Sequence, residues 1–335
     1  MSRIKVLTMG LVSAGMLLSC SPETPKAYYS ALKERGTAST LTVDPRVDIL
    51  FVVDNSGSME THQKNLALNV NKFTSEFTRT SFIEYNIGVT TTDDGIPNLP
   101  NQAGDCCGHL VGNPRVVTKG TPNLNQALAN NFLVGTAGSV TEMIFDPINS
   151  ALTEPNLSTY NRGFYRPPAK LALIFITDAE DQSLRMSEKG LYDFLLNLKG
   201  GNADKILGYG VIVPTGDTTG CSRDSGVEPT QIEKFLSRMP NSKDNIMNLC
   251  SPEFGNRLGF LARNIVEEMT TIRLKQVPYV PSIKVKWGDR LLEADAHKGW
   301  AYDAQKNAVV LGDQVDWKSQ PLGTPISIDF EVAKY

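Results

Sequence analysis

The chain has 335 residues, 41% of them hydrophobic and 21% charged, the balance of an ordinary globular protein with apolar material for one large α/β domain and an appendage. The formal charge is −3, and the basic residues are scattered rather than run together, which argues against a nucleic-acid partner.

The first element is "MSRIKVLTMGLVSAGMLLSC". Arg3 and Lys5 precede an apolar run that ends in small residues, the layout of a secretory signal peptide over residues 1–19. The stretch from Leu17 to Cys20 resembles the bacterial lipobox. That resemblance implies that Cys20 is lipidated and heads the mature chain, and Ser21 after it implies the outer membrane, facing periplasm or cell surface. Removal of 1–19 takes away Arg3 and Lys5 and no acid, so the charge moves from −3 to −5.

An exported chain meets oxidising conditions, and Cys106, Cys107, Cys221 and Cys250 make an even set from which two disulfides are expected. Adjacent cysteines are strained as mutual partners, so the expectation leans to crosswise pairs of Cys106 and Cys107 with Cys221 and Cys250, the connectivity staying open. The lack of C-x-x-C spacing speaks against zinc.

Residues 20–45 read as the lipidated N-terminus and a polar tether. "VDILFVVD" (47–54) is then a strand apolar enough to be buried on both faces. Leu66, Val70, Phe73 and Phe77 fall at helical spacing in one helix after it. "YNIGVTT" (85–91) predicts a strand, 123–132 and 142–152 helices, the latter with Pro147 starting or kinking it, and "KLALIFIT" (170–177) a second fully apolar strand. Helices at 187–198, 230–239 and 254–272 alternate with strands at 205–214 and 245–249. This alternation predicts a doubly wound, mostly parallel sheet flanked by helices over 46–272. Short alternating runs broken by "WGD", "AQKN" and "PLG" predict a small β domain over 273–335.

Open α/β sheets gather ligands at the carboxyl ends of their strands. Here that edge would carry Asp54, Ser56 and Ser58 in "DNSGS", then "TTTDD" (90–94), "GTAGSVTE" (135–142) and "TDAEDQS" (177–183). All are rich in oxygen and none offers His, which suits a hard cation. "DNSGS" alone also reads as a helix cap with a turn. Glu180 and Asp181 read as a solvated helix start, and "TTTDD" as a plain polar loop.

Asp54-x-Ser56-x-Ser58 after an apolar strand, a hydroxyl-bearing loop about eighty residues on, and Asp178 in "LIFITDAED" together resemble the metal-ion-dependent adhesion site of von Willebrand factor type A domains, integrin I domains among them. The resemblance implies that Asp54, Ser56 and Ser58 surround one divalent cation, Mg²⁺ first with Ca²⁺ or Mn²⁺ as alternatives, and that Asp178 acts directly or through water. It also implies a middle-loop hydroxyl, for which Thr136 and Ser139 rank equally and Thr141 also qualifies, and one open position for an acidic group of a ligand.

The function expected is therefore a non-enzymatic, envelope-anchored lipoprotein that binds a protein or peptide through an exposed Asp or Glu. Two alternatives stand beside it: a hydrolase using Ser56 or Ser58 with His62, and a structural lipoprotein with a vestigial metal site. "DNSGS" is not a G-x-S-x-G elbow, and only His62, His109 and His297 could serve as base.

Overall fold

The computed structural model describes residues 34–80, 82–93, 107–317, 320–321 and 323–334. The expected signal peptide, Cys20 and Cys106 lie outside these residues. The strands are β1 (Glu34–Val43), β2 (Arg46–Val53), β3 (Glu84–Thr91), β4 (Val116–Thr118), β5 (Lys170–Ile176), β6 (Ile206–Ile212), β7 (Ile246–Asn248), β8 (Thr271–Arg273), β9 (Lys284–Trp287), β10 (Arg290–Leu291), β11 (Trp300–Asp303), β12 (Ala308–Leu311) and β13 (Ile326–Lys334). The helices are α1 (Glu60–Leu68), α2 (Val70–Arg79), α3 (Leu124–Phe132), α4 (Phe145–Ala151), α5 (Glu188–Leu198), α6 (Thr230–Ser237) and α7 (Phe254–Thr270).

The main sheet has the order β4-β3-β2-β5-β6-β7, parallel throughout except for the antiparallel edge strand β4. β2 lies inside it, and every β2 residue after Arg46 is buried. The pleat sends alternate side chains into two cores. Ile49, Phe51 and Val53 meet Phe73, Phe132 and Leu258 on one face. Leu50 and Val52 join Phe145, Phe175 and Phe235 on the other. That is why the strand reads as an unbroken apolar run. It is also why its polar residues stand at its C-terminal tip, beyond both layers of helix.

Two expected helices are shorter than their periodicity. The single helix after "DNSGS" is α1 and α2, broken at Asn69, whose side-chain amide donates back to the Asn65 carbonyl at 2.9 Å. α4 starts at Phe145, so Pro147 falls in its first turn, where a missing N–H costs nothing.

The tether expectation fails for residues 34–43. They form β1, which runs antiparallel to β13 with Leu41 opposite Ile328 and Ser39 opposite Phe330. The segment is mostly small and hydroxylic and shows no apolar period of its own; its order comes from the apolar face of β13, where Ile326, Ile328 and Phe330 are buried. The β unit thus draws on both flanks of the parallel sheet, in one sheet ordered β1-β13-β9-β10 and a second ordered β11-β12-β8. It packs directly on the α/β layer: the Phe82 ring sits 4.1 Å from that of Trp317, which meets Trp287 at 5.0 Å, and all three belong to one continuous apolar cluster with the sheet.

Candidate metal centre

β2 ends at Val53, and the Asp54 N–H is pinned to the Ile176 carbonyl at 2.9 Å, which ties the tip of β2 to that of β5. From there the carboxylate of Asp54 has two partners. Oδ1 accepts the Ser56 N–H at 2.8 Å, and Oδ2 accepts the Thr177 hydroxyl at 2.6 Å. The chain then enters a single 3₁₀ turn, Gly57–Met59, that leads into α1. The Ser56 and Ser58 hydroxyls stand 2.9 Å apart, and Ser58 Oγ donates to Asp178 Oδ1 at 3.1 Å. The structure so brings together Asp54, Ser56, Ser58 and Asp178. A simple cap does not account for them: Ser56 precedes the 3₁₀ turn but makes no side-chain cap bond.

The middle loop is docked beside this group. Gln63 reaches from α1 to donate to the carbonyls of Asp54 and Gly135, at 2.9 and 2.7 Å. Gly138 N–H donates to the Asn55 carbonyl at 2.9 Å, and a Cβ at Gly138 would strike the Asn55 side chain at 2.4 Å, so this position requires glycine. Asp93 accepts from Asn55 Nδ2 and from Ser139 N–H, both at 2.8 Å. Thr92, whose hydroxyl donates to Asn55 Oδ1 at 3.2 Å, and Asp93 therefore brace the site rather than form a plain polar loop, while Asp94 lies outside the described residues. Asn55, Gln63 and Asp93 were not singled out in the sequence, where no spacing distinguishes a residue that ties two loops together.

None of the three candidate hydroxyls of that loop is hydrogen-bonded to Asp54, Ser56, Ser58 or Asp178. Thr136 is exposed, and Ser139 Oγ accepts the Thr141 N–H at 3.0 Å. The buried polar residue of the loop is the next one, Glu142, at 1% exposure. Its backbone is gripped from both sides of β2: Met143 N–H donates to the Thr92 carbonyl after β3, and Gln182 N–H, after β5, donates to the Glu142 carbonyl. Gln182 Nε2 also donates to Glu142 Oε2 at 3.2 Å.

Glu180 and Asp181 are not a solvated helix start. Asp181 Oδ1 accepts the Ile144 and Phe145 N–H groups and so caps α4, while Glu180 accepts from Gln231 N–H and the Thr230 hydroxyl and caps α6. One loop after β5 anchors two helices on the same side of the sheet. Glu180 and Asp181 serve those helices, while Asp178 of the same loop faces the strand tip.

The electrostatics of the tip are those of carboxylates without a counter-charge. Burial, and then the charges of Asp54 and Asp224 against a relieving bond from Ser58, push Asp178 up to about 6. Burial, then the charges of Asp54, Asp224 and Asp178, push Glu142 up to about 8. Asp54 is raised as well, chiefly by burial, with the Thr177 and Ser56 bonds opposing. Among the described residues no Lys, Arg or His forms an ion pair with any of these four acids. His62 bonds neither serine; its Nδ1 is buried without a partner, and burial lowers its pKa, so neither serine has a histidine in contact.

The donors are all oxygen, which fits a hard divalent cation. Among the described residues no three His, Cys, Asp or Glu side chains stand close enough to hold one ion, so an ion held by Asp54 and Asp178 would draw the rest of its shell from hydroxyls and water.

Cys221 is bonded to Cys250, which overturns the crosswise pairing and links the loop after β6 to the one after β7. Cys107 is also in a disulfide, with a partner outside the described residues. Three residues past Cys221, Asp224 N–H donates to the Asp178 carbonyl at 3.0 Å, so the bridged loop lies against the site.

A parallel sheet in this strand order, with Asp-x-Ser-x-Ser at the tip of a central strand and Asp178 at its neighbour's, is a von Willebrand factor type A-like fold carrying a small β unit. No protein-family model matches the chain, and no curated protein matches it. Among solved structures, the pilus adhesin SpaC from Lactobacillus rhamnosus GG in its open conformation is 13% identical, with a TM-score of 0.40 over 90% of this chain and 42% of its own. The von Willebrand factor type A protein from Catenulispora acidiphila is 12% identical, with a TM-score of 0.36 over 90% of this chain and 66% of its own. Proximal thread matrix protein 1 from the mussel byssus, in a form with a zinc-occupied MIDAS motif, is 12% identical, with a TM-score of 0.39 over 71% of this chain and 52% of its own. The chain thus spans between 42% and 66% of the length of these proteins. No helix among the described residues is long and apolar enough to cross a membrane.

Proposed function

We propose that this protein is a non-enzymatic binding module of the bacterial envelope, anchored through lipid on Cys20, that captures a protein or peptide through one divalent cation held at the tip of β2. The observation that carries the reading is the convergence of Asp54, Ser56, Ser58 and Asp178, two carboxylates and two hydroxyls from two strands, with no basic side chain paired to either acid. Mg²⁺ is the cation of first choice, with Ca²⁺ or Mn²⁺ as alternatives. When bound, it would supply positive charge beside acids that, among the described residues, have no basic partner. A single Asp or Glu on a neutral or basic partner surface is the favoured ligand, because the acids gathered at the strand tip, Asp178 and Asp224 among them, disfavour a strongly acidic one.

The lack of a bond from His62 to Ser56 or Ser58 weighs against the hydrolase alternative that pairs them. The test is calorimetric titration with Mg²⁺, followed by pull-down from envelope extract, using wild type and Asp54→Asn with Mg²⁺ or EDTA. Cation-dependent partners that are lost in Asp54→Asn support the reading. The same partners in all four conditions would move binding to another surface and leave the site structural.

A further inference from the structure

Glu142 lies where the sequence placed a hydroxyl ligand, and three features of its setting mark it as more than a surface acid. It is at the carboxyl edge between the loops that follow β3 and β5, bonded to Gln182 on one side while the next residue, Met143, donates to the Thr92 carbonyl on the other, and this bracket straddles the tip of β2, where Asp54 sits. It is 1% exposed, yet it forms no ion pair among the described residues. And its neighbours in charge are the proposed site itself, Asp54, Asp178 and Asp224. A buried acid in such company carries its charge at little cost only where a cation arrives to offset it.

We propose that Glu142 is a positioning acid of the cation site, standing behind the direct donors and holding the ion through its charge and a shared water, in place of a hydroxyl from Thr136, Ser139 or Thr141. This rests on the reading of the strand tip as a cation site. It assigns the middle loop's contribution to a residue that the family pattern does not supply. The absence, among the described residues, of three acids close enough to share an ion fits a role outside direct coordination. Charges set behind a metal's own ligands change its affinity by roughly 10–100-fold when removed.

The experiment compares wild type, Glu142→Gln, Glu142→Asp and Asp54→Asn by titration with Mg²⁺ and Ca²⁺ chloride, and by thermal unfolding with either salt or with EDTA. Glu142→Gln keeps the shape and the Gln182 contact while removing the charge. It should bind the cation about 10-fold or more weakly, and it should melt at the same or a higher temperature than wild type in EDTA, since it keeps the Gln182 contact without a charge that needs offsetting. Its gain in melting temperature on adding cation should shrink. Glu142→Asp, which restores the charge, should recover part of the affinity.

If wild type binds the cation and Glu142→Gln binds it equally well, the proposal is overturned while the site stands. Loss of stability in Glu142→Gln that is as large in EDTA as in cation would overturn it in favour of a purely structural bond to Gln182. If Glu142→Gln does not fold, Glu142→Asp decides: near wild-type affinity supports a role for charge, and affinity as low as that of Asp54→Asn overturns it. Wild type that binds no cation at all would remove the reading of the site, and this proposal with it.

Discussion

Ser58 Oγ donates to Asp178 Oδ1 at 3.1 Å across 120 residues of sequence, a bond that exists only because β2 and β5 lie side by side in parallel register, Val53 opposite Ile176. Both residues stand just past the last paired residues, where the ladder ends and the helices begin. Breaking the ion-binding set from the β5 side should therefore be as effective as from the β2 side. Asp178→Asn should lower Mg²⁺ affinity by at least about tenfold while retaining a group that accepts from Ser58; titration calorimetry reads this directly, and undiminished affinity would exclude Asp178 from the cation.

Asp54→Ala is a poor probe of the site. Asp54 is 0% exposed and satisfies both Ser56 N–H and the Thr177 hydroxyl, so truncation leaves two buried donors without an acceptor, at a cost of about 1–3 kcal/mol each. Asp54→Asn keeps an acceptor oxygen and removes the charge. Denaturant unfolding in EDTA should find Asp54→Ala clearly less stable than wild type and Asp54→Asn close to it.

Much of this was legible in advance, for physical reasons that can be named. β2 and β5 are buried on both faces, and only parallel strands between two helix layers have to be apolar at every position, so "VDILFVVD" and "KLALIFIT" could be read with their tips in place. Asp54, Ser56, Ser58 and Asp178 followed because they sit at those tips. β1 was hidden because Glu34–Val43 has no apolar alternation and takes its order from β13, almost 300 residues away. Glu142 was hidden for a related reason. Its burial comes from Thr92 and Gln182, in two other loops, and a lone Glu before a helix reads as an ordinary first-turn acid.

The paired shifts at the site fix the pH dependence of the cation-free protein. Asp178, near 6, and Glu142, near 8, bind protons more tightly folded than in the unfolded chain, where 3.8 and 4.5 apply. Between those limits the folded state carries the extra protons, so stability is highest on the acid side and falls as pH rises through the folded values. Thermal melts in EDTA from pH 5 to 9 should show a declining contribution from these two groups. Saturating Mg²⁺ should flatten the decline, since it replaces the protons. A slope that is the same with and without Mg²⁺ would detach these acids from the cation.

The bridge between Cys221 and Cys250 closes a loop with a sequence separation of 29 and holds Asp224 against Asp178. Replacing both cysteines with Ser should cost about 2–4 kcal/mol of stability through the freed chain entropy of the unfolded state. It should also weaken cation binding, which a remote structural bridge would not do. Denaturant unfolding and titration of the same double variant separate the two effects.

The strand formed by Glu34–Val43 gives a sharp test of how the molecule is built, because a tether can be removed without cost and a sheet strand cannot. β13 is central in its sheet only while β1 is present; without it, one side of a nine-residue strand loses its hydrogen-bonding partner. The buried side chains of Ile326, Ile328 and Phe330 would lose the cover of Leu41 and Val43, and a long unpaired edge with an apolar face favours association with another chain. A protein beginning at Asp44 should thus unfold at lower denaturant than one beginning at Glu34 and should associate on size-exclusion chromatography. Equal stability of the chains starting at Glu34 and Asp44 would return this segment to the role of a tether.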